Sequence, residues 1–184
     1  MRTEIRFAGF GGQGIISAGK ITGKAATIYD GKHAVMMQSY GPEARGGACN
    51  ADLVVADAMV GSPQLGLPIH AVIMSQEAYE KYGQALDPEG LLIVDEDLVD
   101  MSEIAPPVSR VYKIPATRIA GELGKKIVAN VVMLGAMAAI TGTVSKNAMR
   151  EAILSSVPPH TKELNEAAYE AGYAKGEEEL GGKA

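Results

Sequence analysis

Gly9, Gly11 and Gly14 stand between an alternating apolar run and a helical one, in the stretch Phe7-Ala8-Gly9-Phe10-Gly11-Gly12-Gln13-Gly14-Ile15-Ile16. Upstream, Ile5 and Phe7 alternate with Glu4 and Arg6, which reads as a strand at the very N-terminus. Downstream, Ala18, Ile21, Ala25 and Ile28 recur at helical spacing, with Lys20 and Lys24 turned to another side. The three glycines thus meet a G-x-G-x-x-G pattern at a strand-to-helix turn. Glycine permits the tight turn and the close approach of backbone to a phosphate, and the helix N-terminus offers the positive end of its dipole. A plain packing turn is the competing reading. A dinucleotide fingerprint also wants an acid about 20 residues on, at the end of the second strand. Here Asp30 precedes the second apolar run, and that run leads into Gln38-Ser39-Tyr40, so a nicotinamide enzyme is disfavoured.

The rest of the chain repeats strand and helix signals. Strands are expected at 33–38, 50–56, 70–74, 91–94 and 111–114, and helices at 75–82, 118–123, 125–140, 145–156 and 164–175. Ser75 is a plausible N-cap, and Thr117 can cap the helix after the last strand. The strand–helix–strand unit at the start has the size of a crossover and implies that the first two strands pair in parallel. The expected architecture is one domain over 1–184 of three-layer α/β/α type, with a mainly parallel sheet and a Rossmann-like start. In such a sheet the segment Gln38-Ser39-Tyr40-Gly41-Pro42-Glu43-Ala44-Arg45-Gly46-Gly47 lies at the same edge as the first glycine loop. Arg45 is either a phosphate contact or a solvated loop charge. Asp95-Glu96-Asp97 invites a metal hypothesis, but a solvated run beyond a strand end is the plainer reading. Residues 127–140 are apolar all round, which predicts cover from the last helices or from another subunit. The residues after 175 read as a frayed acidic tail.

Composition closes off several functions. A net charge of −5, no tryptophan and two phenylalanines argue against a nucleic-acid partner. The single cysteine, Cys49, excludes a disulfide framework and an iron–sulfur cluster held by this chain's own cysteines. Nothing resembles a signal peptide, and the apolar run at 127–140 is shorter than the ~20 residues of a membrane span, so a cytoplasmic chain with no membrane association is expected. His33, His70 and His160 have no serine, cysteine or carboxylate at a catalytic spacing. The expectation is a binding module with no catalytic residue and no metal ligands of its own.

Gly9-Phe10-Gly11-Gly12-Gln13-Gly14, the long motif 38–47 and Ala129-Asn130 together resemble the gamma subunit of 2-oxoacid:ferredoxin oxidoreductases across nearly the whole chain. Pro115-Ala116-Thr117 and Ser156-Val157-Pro158-Pro159 are most similar to the 2-oxoglutarate branch, with pyruvate and branched-chain 2-oxoacid branches behind it. The resemblance implies a subunit acting with alpha, beta and delta subunits, which hold thiamine diphosphate, Mg²⁺ and iron–sulfur clusters and pass electrons to ferredoxin. It implies that this chain helps to bind coenzyme A, with Gly11, Gly12, Gln13 and Gly14 around phosphate oxygens; Arg45 is added as a charge-assisted contact. The isolated chain is expected to be inactive and to self-associate or bind a partner through part of 127–140. A pure scaffold and a free-standing nucleotide-binding enzyme are the alternatives from other classes.

Overall fold

The computed structural model describes residues 1–39, 47–62 and 65–182. The chain runs β1 (Arg2–Phe10), α1 (Ile15–Lys24), β2 (His33–Ser39), β3 (Ala48–Ala56), β4 (His70–Ile73), α2 (Gln76–Tyr82), β5 (Leu91–Asp95), β6 (Arg110–Ile114), α3 (Ala116–Glu122), α4 (Ala129–Thr141), α5 (Lys146–Leu154) and α6 (Lys162–Gly181). A π turn, Ala25–Tyr29, prolongs α1, and short 3₁₀ turns at Lys126–Val128 and Pro159–Thr161 lead into α4 and α6.

The six strands form one sheet in the order β2-β3-β1-β4-β5-β6. β1, β4, β5 and β6 are parallel neighbours, while β3 runs antiparallel to both β1 and β2. The expected parallel pairing of β1 with β2 is therefore not made, although both point the same way. β3 lies between them, with Phe7 opposite Ala51 and Val35 opposite Val54. The reason is burial. Ala51, Leu53, Val54 and Val55 are almost wholly buried, as an interior strand requires, whereas β2 carries exposed His33, Gln38 and Ser39 and suits an edge.

Each strand sends alternate residues to opposite layers. Ile5, Phe7, Leu53, Val72, Ile93 and Ile114 join the core shared with α1 and α3 to α6; Ala8, Ala71, Ile73, Leu92 and Val94 join the core shared with α2 and Val99 and Val108. The three-layer expectation holds. α2 begins at the Ser75 cap, whose hydroxyl accepts from the Ala78 amide at 3.2 Å.

Two expectations about the helices are corrected. α4 is covered inside the chain, chiefly by α6, and Val132, Met133, Leu134, Ala136 and Met137 are at most 1% exposed. The apolar face assigned to an interface is this packing; Ile127, in the turn before the helix, is the exception at 75% exposed. The described residues after 175 are not a frayed tail, because α6 continues to Gly181. Lys175 pairs with Glu178 and Glu179 at 3.1 Å each, and a Cβ on Gly176 would lie 2.8 Å from the Ala136 carbonyl oxygen, so the helix packs closely on α4 as far as Gly176.

Candidate functional site

β1 ends where the sheet changes direction of winding: α1 packs on one face and α2 on the other, so the carboxyl ends of β1 and β4 flank the crevice where open α/β sheets take ligands. The glycine loop occupies this edge. Gly12 and Gly14 have φ of 101° and 74°, conformations that a side chain resists. A Cβ on Gly14 would also run into the Asn130 amide, and one on Gly9 would collide with Gln13 and lie 2.7 Å from Ile15 Cδ1. Gly11 differs: its φ is not positive, and a Cβ there meets nothing within 4 Å.

α1 starts from Gly14 with no side-chain cap and no acid in its first turn, which leaves its leading amides for a ligand or for water. α4 also lacks a side-chain cap and an acid in its first turn, but it continues from the 3₁₀ turn, whose Lys126 carbonyl takes the Ala129 amide; Asn130 in its first turn approaches Gly14, with Nδ2 3.4 Å from the Gly14 carbonyl oxygen. The start of α6 comes to the same place through Thr161 and Asn165, although Glu163 in its first turn weakens its pull on an anion. The three helix starts enclose a groove of about 360 Å³, lined by Gly12, Gly14, Ser17, Lys125, Asn130, Thr161 and Asn165, with Ile21, Val128, Val131, Val157 and Leu164 as its apolar part. Lys125 is its charged lining residue among those described, and no carboxylate lines it. Lys24 sits beside it, donating to the Ser155 carbonyl at 3.2 Å and the Ser156 hydroxyl at 3.3 Å, while Lys20 stays exposed.

Another cavity at this edge, of about 450 Å³, is lined by Glu80, Glu96, Asp97, Asp100 and Glu103. Its charge repels phosphate, so size does not make it the anion site. Of the run expected to be solvated, Glu96 and Asp97 are exposed, but Asp95 is not. Asp95 is fully buried and accepts from the Thr117 hydroxyl at 2.6 Å and the Thr117 amide at 3.1 Å; burial pushes its carboxyl above the usual range, against those hydrogen bonds. Glu96 and Asp97 pair with Arg118 at 2.9 and 2.6 Å. Thr117 is consequently no cap. α3 starts two residues earlier than expected, at Ala116 after Pro115, and the Thr117 hydroxyl serves the carboxylate.

Of the residues singled out in the sequence, Gly11, Gly12, Gln13 and Gly14 form one loop at the groove mouth. Gln13 turns its side chain into the fold, with Oε1 accepting from the Phe10 amide at 2.9 Å and Nε2 donating to the Met74 carbonyl at 2.6 Å. Arg45 lies outside the described residues. The strand ends flanking its segment do lie at this edge, since Ser39 is level with Asn50, and Asn50 with Ala8. The sequence reading missed Lys125, Thr161 and Asn165 as groove residues. Asn130 was the available signal, a polar residue where an apolar helix starts. His70 sits at the opposite edge of the sheet, where burial holds it down to about 4. Burial also raises the Cys49 thiol, leaving it a poor nucleophile.

A mixed α/β sheet with a glycine turn at its switch point places the chain among the open α/β proteins, whose ligand sites lie at this edge. Residues 4–175 match the family model described as pyruvate ferredoxin/flavodoxin oxidoreductase, and the chain belongs to that family. It is 51% identical to the 2-oxoglutarate synthase subunit KorC of Methanocaldococcus jannaschii, over 94% of this chain and 93% of that one. Among solved structures, it resembles the gamma subunit of a keto/oxoacid ferredoxin oxidoreductase from Geobacter sulfurreducens, with a TM-score of 0.88 and 42% identity over 97% of this chain and 98% of that one. The fold recurs within a longer chain, the 2-oxoglutarate:ferredoxin oxidoreductase of Magnetococcus marinus with 2-oxoglutarate, coenzyme A and succinyl-CoA bound. There the TM-score is 0.85 and the identity 24%, over 96% of this chain and 31% of that one. The protein is a gamma subunit of a multi-subunit 2-oxoacid:ferredoxin oxidoreductase, with greater likeness to the 2-oxoglutarate enzymes than to the ketoisovalerate and pyruvate ones. Among the described residues, no helix is long and apolar enough to cross a membrane.

Proposed function

We propose that this subunit supplies the phosphate-binding part of the coenzyme A site in the oxidative decarboxylation of 2-oxoglutarate, as part of a cytoplasmic complex with alpha, beta and delta subunits. Those subunits would hold thiamine diphosphate, Mg²⁺ and the iron–sulfur clusters, and ferredoxin would take the electrons. Thiamine diphosphate supplies the electron sink for decarboxylation; this chain's residues bind and orient the acyl acceptor. The backbone amides of Gly11, Gly12 and Gly14 and the first turn of α1 suit a pyrophosphate, Lys125 adds a positive charge, and Arg45 is assigned a charge-assisted contact.

One observation carries this reading. A packing turn accounts for Gly9 and Gly14, which neighbouring side chains crowd, and for Gly12, whose φ is positive. It does not account for Gly11. At the switch-point edge, beside the groove, its open side suits the approach of something outside the chain. The scaffold alternative instead requires that this open space be indifferent to coenzyme A.

The test is Gly11→Ala in the assembled enzyme. The KM for coenzyme A should rise roughly five- to hundredfold, the equivalent of ~1–3 kcal/mol of lost charge-assisted hydrogen bonding. An unchanged KM supports the scaffold reading.

A further inference from the structure

Gln13 is the residue of the glycine loop whose side chain serves the loop itself. Its amide has one workable orientation: the Phe10 amide is a donor and must face Oε1, while the Met74 oxygen is an acceptor and must face Nε2. The two partners belong to different strand ends, β1 and β4, so the side chain spans the crevice where the sheet changes winding. Gly9 leaves room for it, since a Cβ there would collide with Oε1. Among the described residues the loop's other ties are modest: the Gln13 backbone amide to the Phe10 oxygen at 3.2 Å, the Ala18 amide to the Gly14 oxygen at 2.9 Å, and the long Asn130 contact. A run of three exposed or half-exposed glycines held by so little would sample many conformations.

We propose that Gln13 is a positioning residue. By joining Phe10 to Met74 it closes the crevice between β1 and β4 to a nucleotide and holds Gly12 and Gly14 at the mouth of the groove between α1, α4 and α6, so it sets coenzyme A affinity without touching coenzyme A. This rests on the coenzyme A reading above. Neither Asn, one methylene short, nor Met, with no amide, makes both bonds. Ionised Glu accepts from Phe10 but turns a second oxygen against the Met74 carbonyl; protonated Glu regains the donor.

The experiment compares Gln13→Met, Gln13→Glu and Gly11→Ala in the assembled oxidoreductase, reading the KM for coenzyme A relative to wild type across pH, together with amide hydrogen exchange of residues 9–17 in the free chain. Gln13→Met should raise KM about tenfold at every pH, ~1.4 kcal/mol, and speed exchange of the loop amides. Gln13→Glu should match it near neutrality and return toward the wild-type KM as the pH falls and the carboxyl protonates. A Gln13→Glu ratio that ignores pH, or loop exchange that neither variant alters, overturns the proposal. Unchanged KM in Gln13→Met beside a raised KM in Gly11→Ala overturns it and leaves the coenzyme A reading standing; unchanged KM in both removes the reading and the proposal together.

Discussion

A Cβ on Gly172 would be driven into the Val132 carbonyl, and one on Gly135 into the Tyr169 carbonyl, so α4 and α6 touch backbone to backbone. Gly172→Ala should therefore cost about 1–3 kcal/mol, the range for overpacking, and lower Tm without abolishing the fold; thermal unfolding checks this, and an unchanged Tm would show that the helices part freely. His70 gives a pH effect of definite sign. Its folded value near 4 lies below the ordinary 6.5, so the stability it confers is complete above pH 6.5 and is lost as the pH falls toward 4. His70→Asn should flatten that acid decline in Tm. Asp95 acts in the opposite sense, because burial raises its carboxyl and the folded state gains as it protonates. At this scale Gly9, Gly11 and Gly14 were legible in the sequence. The task of Gln13 was not, since its partner Met74 lies 61 residues away and a local motif cannot show it.

Local signals located the strands to within a few residues and capped α2 correctly at Ser75. What they could not supply was neighbourhood. β3 enters between β1 and β2 because its residues can be buried on both faces, with Asp52 of the mixed face paired to Arg6, a preference visible only when three strands compete for interior places. Gly176 reads as the start of a tail, yet with Gly172 it allows α6 to lie against α4, and that packing covers most of α4. Asp95 was read as solvated because the acids beside it are. In the fold it anchors the start of α3 through Thr117. Asp95→Ala would leave the Thr117 hydroxyl and amide without their acceptor and should cost about 1–3 kcal/mol, with Asp95→Asn costing less because burial already favours the uncharged form. Chemical denaturation of both variants decides this, and an equal loss would contradict it.

For the whole molecule, charge placement matters more than the net value of −5. The acids gather around the cavity bounded by Glu80 and Glu103, while the groove at the glycine loop carries, among the described residues, Lys125 and no carboxylate, beside the uncapped start of α1. On the proposed reading, an anionic cosubstrate would be steered to one part of the carboxyl edge and repelled from another. The most direct measurement of this account is a pair of assays on the assembled Gly11→Ala enzyme: coenzyme A-dependent ferredoxin reduction, and formation of the thiamine-bound intermediate from 2-oxoglutarate without coenzyme A. The account predicts a raised KM for coenzyme A in the first, with wild-type thermal stability and little change in the second. Equal loss in both, or no loss in either, would contradict it and leave the glycine loop as part of a scaffold.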